Sequence, residues 1–205
     1  MKRRVILFGD ETAAGFDPGA PGIFLPPEVR YAAVLGERFE LVVDADKARP
    51  LLVAGSPELC LAQLRACLDR HAEGAVCAVL QLGTRDLGRA AFGADLANGL
   101  RFLVKECLDR GLRCLVVGHP GVRVSALPTD PGVPRRDAEA AREERARVSA
   151  EYLESLGGLT CPGCRVLDLS GRQDLLGADG LHPAREAQAV LGRLVADAVE
   201  ELLRE

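Results

Sequence analysis

Short unbroken apolar runs alternate along this chain with longer stretches whose apolar residues recur at helical spacing. Val5-Ile6-Leu7-Phe8, Phe39 to Val43, Val76 to Gln81, Cys114 to Val117 and Arg165 to Leu169 have the length and composition of buried strands. The first run stops at Gly9-Asp10-Glu11, because two carboxylates cannot continue into a core. The third stops before Gly83-Thr84-Arg85-Asp86, the fourth before Gly118-His119-Pro120 and the fifth at Ser170-Gly171. If the strands are parallel, these polar ends share one edge of a sheet, the edge where open α/β sheets bind ligands.

The stretches between them predict helices. Glu28 to Leu35 follows Pro26-Pro27. Ser56-Pro57-Glu58 reads as a cap, a first-turn proline and a first-turn acid, and Leu59, Leu61, Leu64, Cys67 and Leu68 form the apolar face behind it. Gly93-Ala94-Asp95 opens a helix carrying Leu96, Leu100, Leu103, Val104, Cys107 and Leu108, which stops at Arg110-Gly111. Asp137 to Leu156 is rich in Glu and Arg at helical spacing. Pro183 to Leu203 turns Ala187, Val190, Leu191, Leu194, Val195, Val199 and Leu202 inward. The alternation predicts a three-layer α/β/α sandwich over residues 1–205 as one domain, with a five-stranded parallel sheet and the first strand inside it. Two proline- and glycine-rich segments, Gly15 to Pro27 and Gly118 to Pro134, are the loops able to wall a pocket.

Composition narrows the class. Of 205 residues 48% are apolar, enough for one sizeable core, and a formal charge of −4 offers no broad basic surface for nucleic acid. No apolar run is long enough to span a bilayer, and Val5 to Phe8 is too short for the hydrophobic region of a signal peptide. The expectation is a cytoplasmic protein acting on a small molecule, without cofactor or metal, with homo-oligomer formation left open. Of the seven cysteines, Cys60, Cys67, Cys77, Cys107 and Cys114 lie inside apolar patterns and read as small hydrophobes. Cys161-Pro162-Gly163-Cys164 has the spacing of a redox pair or half a zinc site, and equally that of a turn before a strand.

Asp179-Gly180-Leu181-His182-Pro183 places a carboxylate three residues before an imidazole, a spacing that lets the acid orient the ring. Together with Gly9-Asp10 after the first strand and Leu82-Gly83-Thr84-x-Asp86 after the third, it resembles the SGNH, or GDSL-type, hydrolase superfamily. Phe8-Gly9-Asp10-Glu11-Thr12-Ala13-Ala14-Gly15-Phe16-Asp17-Pro18 is similar to the first block of its small arylesterase branch, except at the serine. The resemblance covers essentially the whole chain and implies a flavodoxin-like fold.

Position by position, the resemblance puts Glu11 where the nucleophilic serine belongs and Arg85 where an asparagine would donate to an oxyanion. It puts Ala48, or less naturally Gly55, where a glycine amide would donate, and leaves Asp179 and His182 unchanged. Without a hydroxyl or thiol at position 11 the acyl-serine cycle has no nucleophile. Glu11 is then a candidate base or nucleophile beside the Asp179–His182 pair, in hydrolytic, elimination or cyclisation chemistry. The alternative is a catalytically inactive binding protein, with Arg85 and Arg49 receiving a small anionic ligand. Asp10 and His119 are further candidate lining residues, since both end strands on the same edge. A metal held by Glu11, His119 and His182 has little warrant from sequence-distant ligands.

Overall fold

The computed structural model describes residues 2–20, 22–87, 92–127 and 135–205, with 135 and 136 described by backbone alone. Pro21 of the first predicted loop and positions 128–134 of the second lie outside the described residues. Five parallel strands, β1 (Arg4–Gly9), β2 (Glu40–Ala45), β3 (Ala75–Gln81), β4 (Arg113–Val117) and β5 (Cys164–Leu167), form one sheet in the order β2-β1-β3-β4-β5. Five α-helices cover it: α1 (Tyr31–Arg38), α2 (Glu58–His71), α3 (Gly93–Asp109), α4 (Arg135–Leu156) and α5 (Gln188–Leu202).

Alternation along the strands separates two cores. Ile6 and Phe8 of β1 pack with Leu64, Leu68, Leu100, Leu103, Val148 and Tyr152, so α2, α3 and α4 lie on one face. Val5 and Leu7 pack with Tyr31, Leu35, Leu191, Val195 and Val199, so α1 and α5 lie on the other. Strands buried on both faces are why the sequence shows them as continuous apolar runs.

Several boundaries differ from the sequence expectation, each for a local reason. The first helix starts at Tyr31, after a 3-10 turn at Pro27–Val29 and an extended Arg30. Its first amide is held by the Gln188 side chain of α5 at 3.0 Å. Phe39 closes that helix, and β2 runs on to Ala45 because it pairs with β1 as far as Gly9. Leu59 is 50% exposed, since the helix begins at Glu58 and Cys60 takes the first inward place. The strand expected at Arg165 to Leu169 is Cys164–Leu167, ended by a turn in which Asp168 accepts the Ser170 amide at 2.8 Å. The last helix is delayed to Gln188, because Ala184 stays extended and donates its amide to Leu175 at 2.8 Å.

In the 2-1-3-4-5 order the chain reverses its direction of progress between β1 and β3, and sheets of this kind bind ligands outside the carboxyl ends of the strands at such a point. There the chain leaves β1 through Gly9, and a Cβ on that residue would meet the Ala13 Cβ at 2.3 Å and the Gln81 carbonyl oxygen at 2.7 Å. The turn can therefore fold back against β3 only with glycine at this place. Gly9→Ala is expected to cost about 1–3 kcal/mol, the range for overpacking a tight interior, read as a lowered denaturation midpoint at unchanged slope. An unchanged midpoint would mean that the turn has room to move.

Candidate active site

Asp10 is wholly buried, and both carboxylate oxygens accept backbone amides: Oδ1 from Thr12 at 3.0 Å, Oδ2 from Thr84 at 3.1 Å. One side chain thus ties the turn after β1 to the turn after β3. The Thr12 and Thr84 hydroxyls meet at 3.3 Å across the same gap. Asp86 continues the pattern by accepting the Leu51 and Leu52 amides at 2.8 and 3.1 Å, which draws the loop after β2 inward. Burial, and then the neighbouring charge of Glu11, raises the Asp10 carboxyl above its ordinary range.

Glu11 and Arg85, carried on these tied turns, approach each other and the loop before α5. His182 Nδ1 lies 2.7 Å from Asp179 Oδ2, while Asp179 Oδ1 accepts the amides of Leu181 and His182 at 3.0 Å each. The loop is pinned from outside as well: Arg123 donates its amide to the Gly180 carbonyl at 2.8 Å. His182 Nε2 then faces Glu11 Oε1 at 3.6 Å, beyond a direct hydrogen bond, and Glu11 Oε2 stands 3.9 Å from Arg85 Nη1. The Phe16 ring packs on the imidazole at 4.5 Å between centroids, and Phe24 meets Phe16 edge-on.

Three buried polar atoms in this cluster have no hydrogen-bond partner among the described residues: Glu11 Oε2, His182 Nε2 and Arg85 Nε. Orphaned polar atoms are costly in a folded protein, and those of native structures need an explanation such as a bound molecule or a catalytic role. Here they converge.

Solved structures share the architecture. A carbohydrate acetylesterase family member from Sinorhizobium meliloti is 20% identical, with a TM-score of 0.74 over 100% of both chains. A candidate arylesterase from Agrobacterium tumefaciens str. C58 is 22% identical, with a TM-score of 0.70 over 98% of this chain and 100% of its own. The chain has the SGNH hydrolase fold. A candidate SGNH hydrolase from Slackia heliotrinireducens aligns at 15% identity with a TM-score of 0.60, over 97% of this chain and 100% of its own. No protein-family model and no curated protein matches the sequence.

On this SGNH scaffold Glu11, Arg85, Asp179 and His182 come together, and the other candidates take different places. Asp10, next to Glu11 in the chain, is wholly buried, and each of its oxygens accepts an amide, so it ties the two turns together. Ala48 is exposed and gives its amide to Asp46 Oδ1 at 2.8 Å within its own turn; no glycine-like φ is needed there, and among the described non-glycine residues positive φ falls at Ala54. Gly55, the other candidate, is exposed too.

Arg49 is a structural clamp. Its guanidinium donates to the Gly9 and Asp44 carbonyls at 2.9 and 2.7 Å, to Asp44 Oδ1 at 2.6 Å and to Gln63 at 3.0 Å, and it stacks on Phe8. It has no free fork for an anion. His119 is buried: Nδ1 accepts the Gly121 amide at 3.0 Å, Nε2 lies 3.4 Å from Ser149 Oγ, and the ring stacks on Tyr152. Burial pushes it down to about 4, so it is a neutral packing residue. Among the described residues no three His, Cys, Asp or Glu side chains gather as a metal site.

Phe16 was not a sequence candidate, although its place in the Gly15-Phe16-Asp17 segment of the first block was a usable signal. The roles of Thr12 and Thr84 carried none.

Burial alone would lower the His182 imidazole, but the hydrogen bond to Asp179 and the proximity of Glu11 outweigh it and raise it to about 9. Asp179 is correspondingly lowered: burial opposes ionisation, and His182 together with two amides more than offsets it. The shift favours the doubly protonated ring at neutral pH. Because the folded value exceeds the unfolded 6.5, the stabilisation from this group is complete below pH 6.5 and is lost as pH rises through about 9. A proton NMR titration should find His182 titrating near 9, and lower in Glu11→Gln. A midpoint near 6.5 in both proteins would show that the two carboxylates do not hold the proton.

Proposed function

We propose that this protein is an enzyme on the SGNH scaffold that dispenses with a serine nucleophile and acts on a small molecule through Glu11 and the Asp179–His182 pair. The observation that carries the reading is the convergence of orphaned atoms from a carboxylate, an imidazole and a guanidinium in one buried place. A hydrogen-bonded ion pair would hold such groups within about 3 Å. Instead Glu11 stands 3.6 Å from His182 and 3.9 Å from Arg85, close enough to share a small bound group among the three.

The charge state assigns the roles. A histidine protonated at neutral pH cannot be the base of a conventional acyl-enzyme cycle, so Glu11 accepts the proton and His182 donates one. In hydrolysis Glu11 takes a proton from water as the oxygen attacks an electrophilic carbon. Arg85 stabilises the oxyanion that develops, and His182 protonates the leaving group, with Asp179 holding the ring in place. In elimination or cyclisation the same base takes its proton from the substrate. Direct attack by Glu11 on carbon would give an ester intermediate and is distinguished by a covalent adduct.

A second reading is favoured by Arg85 itself. Its side chain is 32% exposed, reaches the Lys47 carbonyl only at 3.4 Å and leaves Nε unpartnered, which suits retention of a carboxylate or phosphate without turnover. A panel of small esters and anionic metabolites separates the two. For the enzyme reading, Glu11→Gln is expected to lower turnover on any hit by roughly 10²–10⁴-fold, the usual contribution of a positioned acid or base. The rate should fall as pH rises past about 9, where His182 loses its proton, and fluorophosphonate should label no serine stoichiometrically. Turnover unchanged in Glu11→Gln would overturn the assignment. Binding without turnover that Arg85→Ala abolishes would establish the second reading.

A further inference from the structure

A second chemically competent cluster lies at the opposite, amino-terminal edge of the sheet, at the entry to β5. Cys161-Pro162-Gly163-Cys164 is a two-residue turn in which Cys164 donates its amide to the Cys161 carbonyl at 2.8 Å and Cys161 donates back to the Cys164 carbonyl at 3.1 Å. Pro162 presets the first central position, and Gly163, with φ of 82°, supplies the left-handed second position of a type II turn. A mutually hydrogen-bonded pair of this kind holds its Cα atoms about 5.5 Å apart, within the range that a disulfide spans.

The two thiols differ in access. Cys161 is exposed and Cys164 is buried. Behind them, Cys164 is the register partner of Cys114 on β4, and both belong to the buried cluster that holds Cys107 of α3. Four cysteines therefore lead from solvent into the core beneath α3. The neighbouring Cys114 is the main influence lowering Cys164 below an ordinary thiol, whereas desolvation and the neighbouring Cys164 raise Cys161. The outer sulfur is the accessible one, and the inner sulfur is the one better able to be a thiolate.

We propose that Cys161 and Cys164 form a reversible dithiol–disulfide site that exchanges with small external disulfides. The Cys161 thiolate attacks one sulfur of the external disulfide and expels the first thiolate, leaving a mixed disulfide on Cys161. The Cys164 thiolate then attacks the Cys161 sulfur and expels the second. Two protein S–H bonds are lost, their protons end on the two expelled thiolates, and the two electrons leave with them as two free thiols. An external dithiol reverses both steps. Exposure brings the partner to Cys161, and the turn delivers Cys164 to the mixed disulfide before it can accumulate.

The test is incubation of the folded, full-length protein with graded ratios of oxidised and reduced glutathione, followed by acid quench, alkylation under denaturing conditions and peptide mass mapping. The wild type should lose the mass of two hydrogen atoms in the peptide carrying residues 161–164, with the other five cysteines alkylated. Cys164→Ser should trap a stable glutathione adduct on Cys161, and Cys161→Ser should not react while folded, since the remaining thiol is buried. A glutathione adduct on Cys161 that persists in the wild type would overturn the proposal, as would oxidation spread over other pairs or no reaction at any ratio. Circular dichroism of each variant keeps a folding defect distinct from a loss of exchange.

Discussion

The arrangement of the crevice depends on one buried carboxylate. Asp10 accepts an amide from the turn that follows β1 and another from the turn that follows β3, and so converts two independent strand ends into a single rigid platform. The residues that face outward from that platform, Glu11 and Arg85, owe their proximity to it. The side chain at either position can change without disturbing the frame, because the frame's own hydrogen bonds are made by Asp10 and the Thr12 and Thr84 amides. This separates support from chemistry and explains how a fold shared with esterases can carry a carboxylate and a guanidinium where a hydroxyl and an amide would be expected from the resemblance.

His182 shows how much the meaning of a residue depends on its neighbour. Beside a neutral hydroxyl, an imidazole oriented by a carboxylate is a base. Between two carboxylates it binds its proton firmly and becomes a donor. The Asp179-x-x-His182 turn is held by its own amides and by the Arg123 contact, while the carboxylate at position 11 adds to the pull on the imidazole proton. The proton shared between Asp179 and His182 therefore belongs to the pair and not to one residue alone.

The parallel sheet was legible because strands covered on both faces must be apolar at nearly every position, and β1, β3 and β4 are. The edge strand β2 was less so, with no residue fully buried, and its true end at Ala45 follows from pairing with β1, which local pattern does not encode. Leu59 and the delayed start of α5 were misread because inward direction in a first turn depends on where the chain enters the helix. In the site, the Asp179–His182 contact is local and could be read from spacing. The convergence of Glu11, Arg85 and His182 needed the strand order, which the resemblance supplied. Arg49 looked like an anion receptor because a guanidinium in a loop advertises no partner. Its partners are carbonyls and a carboxylate brought to it by β-pairing.

Arg49 has a wider consequence. The crevice is ringed by groups whose charge varies with pH: Asp10 is raised by burial and His182 by its neighbours. The Arg49 guanidinium fastens the ends of β1 and β2 below them. Its hydrogen bonds to the Gly9 and Asp44 carbonyls, together with the Phe8 ring against it, make a fixed pin under that surface. Charge can thus be rearranged above β1 while the strand end that carries it stays in register.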